Sequence, residues 1–189
     1  MPRALNRPGA RADERYPPLA RLLHWAVALG VLVQIGLGWA AETASERDTG
    51  ARLLHLHFQL GMLLLALMVL RAGRRLLHGL PPPATVDARP WRRRLAACVH
   101  AALYLLLFVL PLSGYVIWVW MDGPRDVFGL GQVPRLFTPP ADDETWRAIA
   151  WYVHCWSAWA LAGLVALHVA AALWHQWVLR DRLVSRRLL

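Results

Sequence analysis

Four long stretches without a charged side chain dominate this sequence: Leu22–Ala41, Leu53–Leu70, Leu95–Met121 and Ala148–Leu179. A helix rises about 1.5 Å per residue, so crossing a bilayer takes about 20 apolar residues. Three of the stretches reach that length as they stand, and the second needs only slight extension. The 57% apolar composition agrees, as does the mean hydropathy of +0.34, which exceeds what a soluble domain usually shows. At 189 residues there is room for one bundle and little else. The expected fold is an all-α, four-helix transmembrane bundle.

The net charge of +9 comes from 21 arginines and no lysine, and their placement argues against nucleic acid as the partner. Arg3, Arg7, Arg11, Arg15 and Arg21 precede the first span. Arg71, Arg74, Arg75, Arg89 and Arg92–Arg94 lie between spans two and three, and Arg180, Arg182, Arg186 and Arg187 follow the fourth. The other two loops hold only five arginines and eight of the twelve acids. Arginine collects on the cytoplasmic side of membrane proteins, so both termini are expected there. Residues 1–19 and 181–189 then read as cytoplasmic tails, and 20–180 as the bundle in the membrane lipid. The first stretch is too long, and too interrupted by His24, for a cleaved signal peptide.

The remaining punctuation fits four spans. Pro17-Pro18 suits a first helical turn, Pro81-Pro82-Pro83 stops a helix, and Pro111 is expected to bend the third span. The tryptophans fall toward the two interfaces, Trp39, Trp118, Trp120, Trp146 and Trp151 at one and Trp25, Trp174 and Trp177 at the other, as an anchoring belt does. Residues 122–147 form the longest loop, a cap or a functional element. Cys98 and Cys155 are placed at opposite ends of the bundle, too far apart for a disulfide. No C-x-x-C-H run is present to attach a c-type haem covalently.

Seven of the eight histidines lie inside the spans. An ionisable side chain there points to function, because hydrocarbon offers it no solvent. His154 and His168 are fourteen residues apart on one span, about 40° short of four full turns. Both rings therefore leave the same face, about 21 Å apart along the axis. Chain direction puts His55 or His57 level with His154, and His24 level with His168. Two bis-histidine sites follow, one near each membrane face. His55 and His57 lie on nearly opposite sides of their helix, so only one can face the bundle. His57 is favoured, because Gly61 follows one turn on and leaves room beside it. Ala28, Ala158 and Ala172 do the same for His24, His154 and His168.

Haem is the expected occupant. Zinc sites usually add Cys or a carboxylate, and the spans contain no carboxylate, which disfavours a zinc or copper site at His55-x-His57. A ligating imidazole must be neutral, binding metal through one nitrogen and donating its other N–H. With histidine on both sides iron has no open position, so the chemistry is outer-sphere electron transfer. Arg71 and Arg75 inside, and Arg52 or Arg147 outside, are candidates to meet the anionic haem propionates.

The sequence also resembles the bacterial cytochrome b561 family, related to the cytochrome b subunits of nickel–iron hydrogenases. The resemblance rests on Arg21-Leu-Leu-His24-Trp25, His57-Phe-Gln-Leu-Gly61, Leu67-Met-Val-Leu-Arg71, His100 with Tyr104-Leu-Leu-Leu-Phe-Val-Leu-Pro111-Leu-Ser-Gly114, His154, and Leu167-His168 through His175. It implies an inner-membrane protein with two non-covalent b haems on His24, His57, His154 and His168. His100 and His175 would then lie near a propionate or a quinone, and His175 would suit a proton relay. The work implied is electron transfer linked to the quinone pool, with a periplasmic donor. The resemblance also admits a second role, as membrane anchor and relay for a separate dehydrogenase or redox subunit. One type of member resembles a superoxide:ubiquinone oxidoreductase, but the acidic outer loops argue against an anionic substrate here.

Overall fold

The computed structural model describes residues 16–78 and 90–180. The described residues form four helices, α1 (Pro18–Glu42), α2 (Arg47–His78), α3 (Pro90–Trp120) and α4 (Thr145–Leu173), and α4 runs on through a π-helical turn, Trp174–Val178. All four are long and apolar enough to cross a membrane. The fold is therefore the all-α transmembrane bundle. Each helix begins before its charge-free core, and α2 also overruns its far end, from Arg47 rather than Leu53 to His78. Pro18 sits in the first turn of α1, where its missing N–H costs no bond, and α3 stays helical through Pro111. Most of the expected tails (residues 1–15 and 181–189) and the Pro81–Pro83 stop lie outside the described residues.

Packing follows chain order, α1 on α2, α2 on α3 and α3 on α4. Val27 and Val31 of α1, Leu64 and Met68 of α2 and Leu161 of α4 form the central core. Leu29, Leu32, Leu105, Trp156 and Trp159 point outward, as lipid-facing residues must. Lipid tails are as apolar as leucine, so close backbone approach rather than hydrophobic transfer holds such helices together. Gly30 is one such approach: a Cβ there would fall 2.6 Å from Cδ2 of Leu64.

The α1–α2 and α3–α4 connections share one end of the bundle, the loop end. There Phe58, Tyr115, Trp118 and Val119 form a second core, and the long loop is bolted onto it. The Tyr115 hydroxyl donates to the Pro134 carbonyl (2.7 Å) and accepts from the Leu136 N–H (2.9 Å). Nε1 of Trp118 donates to the Pro124 carbonyl (2.8 Å). Nε2 of Gln59 donates to Oδ2 of Asp126 (2.8 Å). Trp118 thus departs from the belt role: it is 6% exposed and stacks on Phe58 at 4.9 Å. The loop turns tightly over it at Gly123, where a Cβ would meet the indole at 2.4 Å. Trp39, Trp146 and Trp151 do stay exposed near the same end.

Candidate metal centre

At the loop end, His57 of α2 and His154 of α4 face each other, with ring centroids 6.0 Å apart and planes inclined by 68°. Each ring is fixed by a helix that brings no histidine to this pair. Nδ1 of His57 lies 3.2 Å from the Gln34 carbonyl of α1. Nε2 of Gln34 returns a bond to the His57 carbonyl at 2.8 Å. Nδ1 of His154 lies 2.9 Å from the Leu110 carbonyl of α3 and 3.1 Å from Oγ of Ser113. Carbonyls only accept, so Nδ1 carries the proton in both rings. Both Nε2 atoms are left as lone-pair donors.

A glycine completes each seat. A Cβ on Gly38 would fall 3.2 Å from Cε1 of His57, and one on Gly114 would fall 3.1 Å from Cε1 of His154. Gln34 and Gly38, like Leu110 and Gly114, are four residues apart on one helix. A helical carbonyl accepts from the N–H four residues on, so imidazole and glycine share one acceptor. Only a residue without a side chain leaves the ring space to reach it. Neither glycine seat was visible from the spacing of the ligands' own helices. Gly61, by contrast, makes room for Gln34: a Cβ there would lie 3.1 Å from its Nε2.

These features fit a metal held between two neutral imidazoles. Metal–nitrogen bonds of about 2 Å put two rings on opposite sides of one ion with centroids about 6 Å apart. An N–H to a backbone carbonyl is the usual orienting bond of a ligating histidine. His55 turns away to the long loop. It stacks on Trp118 at 5.8 Å, and its Nε2 lies 3.2 Å from Oδ1 of Asp126. Among the described residues no three His, Cys, Asp or Glu gather as a zinc or copper set, and Cys98 and Cys155 are both free.

The opposite, terminal end gathers one polar group or more from every helix: His24 of α1, Arg71 of α2, His100 and Tyr104 of α3 and His168 of α4. His100 and His168 meet edge to face at 5.4 Å. Nδ1 of His100 is satisfied by the Ala96 carbonyl at 2.7 Å. His24 joins this group through Arg71 of α2. Nη2 of Arg71 lies 3.1 Å from Nδ1 of His24, and its Nε donates to the Tyr104 hydroxyl at 3.1 Å. The guanidinium carbons of Arg71 and Arg75 stand 5.6 and 5.0 Å from the centre of the Tyr104 ring. The donor set suits the same kind of group, with one condition. A guanidinium only donates, so a His24 that binds metal through Nε2, with its proton on Nδ1, must first give up Arg71. Tyr104 joins the site only in three dimensions, although its place one turn after His100 was a signal. His175 is half-buried in the π-helical turn beyond His168. Toward the loop end Arg147 pairs with Glu144, and Arg135 with Asp122 at 3.2 Å.

A membrane-spanning bundle whose helices hold imidazoles against one another at two depths is the frame of a membrane cytochrome. The comparison with known proteins agrees: the chain belongs to the family described as prokaryotic cytochrome b561, which matches residues 15–187. It is 33% identical to cytochrome b561 homolog 2 of Escherichia coli (strain K12), over 93% of this chain and 92% of that protein. Cytochrome b562 of Cereibacter sphaeroides is 28% identical, over 92% and 94% of the two chains. A protein of Yersinia pestis named probable superoxide oxidase CybB is 27% identical, over 93% and 96%. Family membership makes this a membrane electron-transfer protein and implies a b-type haem.

Proposed function

We propose that this chain is a dihaem cytochrome b of the bacterial inner membrane that carries electrons between a periplasmic donor and the quinone pool. His57 and His154 hold the outer haem, and His24 and His168 the inner one. Haem would supply one-electron chemistry when bound, held by an imidazole from each of two helices. The chain's own contribution is to orient the rings, exclude water and set the surrounding charge. The observation that carries the reading is the loop-end pair, two facing imidazoles with both Nδ1 protons committed to carbonyls. The arginine bias supports a loop end that faces outward. At the cytoplasmic end Arg71 and Arg75 supply positive charge for propionates, while His100 and His175 would serve a quinone or its protons.

The relative named as a probable superoxide oxidase makes superoxide one donor to test. Two outer arginines are already paired with acids, and the outer loops carry more acids than arginines. A basic patch that steers an anion is therefore not favoured. The test is reconstitution of the purified chain in quinone-loaded vesicles with an impermeant reductant outside. The reading predicts quinol formation that His57→Ala abolishes. No quinol, together with stable co-purification of a dehydrogenase, would instead favour a relay subunit.

A further inference from the structure

The two histidine sites differ in what faces the ligand's second nitrogen. At the loop end both Nδ1 atoms face carbonyl oxygens. An N–H given to a carbonyl makes the imidazole a stronger donor, which favours the oxidised metal. At the terminal end Nδ1 of His24 faces a guanidinium. That cation is tethered independently by the Tyr104 hydroxyl and lies over the Tyr104 ring, with Arg75 over the same ring. If metal binding makes His24 release Nη2, the bond from Nε to Tyr104 still holds the charge beside the site. Fixed positive charge in a poorly solvated interior favours the state with one electron more, because Coulomb energies there are weakly screened.

We propose that Arg71, held by Tyr104, is the positioning residue that sets the redox asymmetry of this protein. It raises the potential of the inner site above that of the outer one. An electron leaving the outer site is then gained by the inner site, and the bundle conducts from the loop end to the terminal end. This rests on the two-haem reading and adds the residue that gives the pair its direction.

The test is a spectroelectrochemical titration of the purified holoprotein in detergent, following the two haems separately. The wild type should titrate in two steps, with the inner site more oxidising by at least tenfold in the electron equilibrium, or 59 mV for one electron. The inner step is the one missing in His24→Ala. Arg71→Gln should lower that step and leave the outer one in place, whereas Arg71→Lys, which keeps the charge, should restore much of it. Tyr104→Phe removes the tether and should lower the same step by less. An unchanged inner potential in Arg71→Gln with both haems present, or an equal drop in Arg71→Lys, would overturn the proposal while leaving the two-haem reading intact. One haem per wild-type chain would instead defeat the reading beneath it.

Discussion

Gly114→Ala isolates what the seat beneath His154 does. The new Cβ would stand 3.1 Å from Cε1 of the ring, so the imidazole must retreat by a few tenths of an ångström to reach ordinary contact. That retreat stretches the 2.9 Å approach of Nδ1 to the Leu110 carbonyl and moves Nε2 with it. Two opposing terms act on the fold. Replacing a helical glycine with alanine gains about 1 kcal/mol, whereas overpacking a close contact costs about 1–3 kcal/mol. The bundle should therefore fold, with stability unchanged or lowered by up to about 2 kcal/mol. Disturbing an outer-shell partner of a metal ligand costs about 10–100-fold in affinity, so the larger loss should appear in haem occupancy. Gly38→Ala should act likewise through His57. Gly36→Ala and Gly163→Ala are the controls, since a Cβ at either meets nothing within 4 Å. The assay is extractable haem per chain beside thermal melting followed by circular dichroism. If Gly114→Ala and Gly38→Ala load haem as fully as the two controls, the seat argument is wrong.

Other substitutions separate the remaining roles. His55→Ala should keep both haems, read by the visible spectrum, because its ring faces Asp126 and Trp118 rather than His154. Asp126→Ala removes the 2.8 Å acceptor of the buried Gln59 amide and leaves only the backbone carbonyl of residue 126 at 3.3 Å, which costs about 1 kcal/mol. It should speed proteolysis of the loop around Gly129–Gly131, and an unchanged digestion rate would show that the contact does not hold the loop. Met68→Ala opens a void at the fully buried centre of the bundle. It should lower the melting temperature in detergent without changing either haem's spectrum.

The sequence spoke clearly about what one helix decides alone. Charge-free length marked all four spans, and the fourteen-residue spacing of His154 and His168 put both rings on one face of α4. Chain direction then brought His57 level with His154, and the structure has those two rings facing. Contacts between helices were harder to foresee, because periodicity fixes a face but neither the rotation nor the vertical register of its neighbour. Gly38 and Gly114 look like any other small residues until the ring from the next helix lies on them. Gly61 seemed to clear space beside its own histidine, yet it admits Gln34 from α1. Trp118 had an interfacial position but was captured by the loop that turns at Gly123. Arg71 read as a cytoplasmic-side, propionate-binding charge, and its bond to His24 depends on how α1 and α2 are rotated against each other.

The central claim is that paired imidazoles from different helices hold two b haems. The most direct test is a reduced-minus-oxidised visible spectrum of the purified chain, with haem extracted and counted, for the wild type and the four ligand variants. The account predicts two low-spin b haems per wild-type chain. His57→Ala and His154→Ala should each lose the same one, and His24→Ala and His168→Ala the other. A wild type with a single haem, or a folded His57→Ala variant that keeps both, would contradict it.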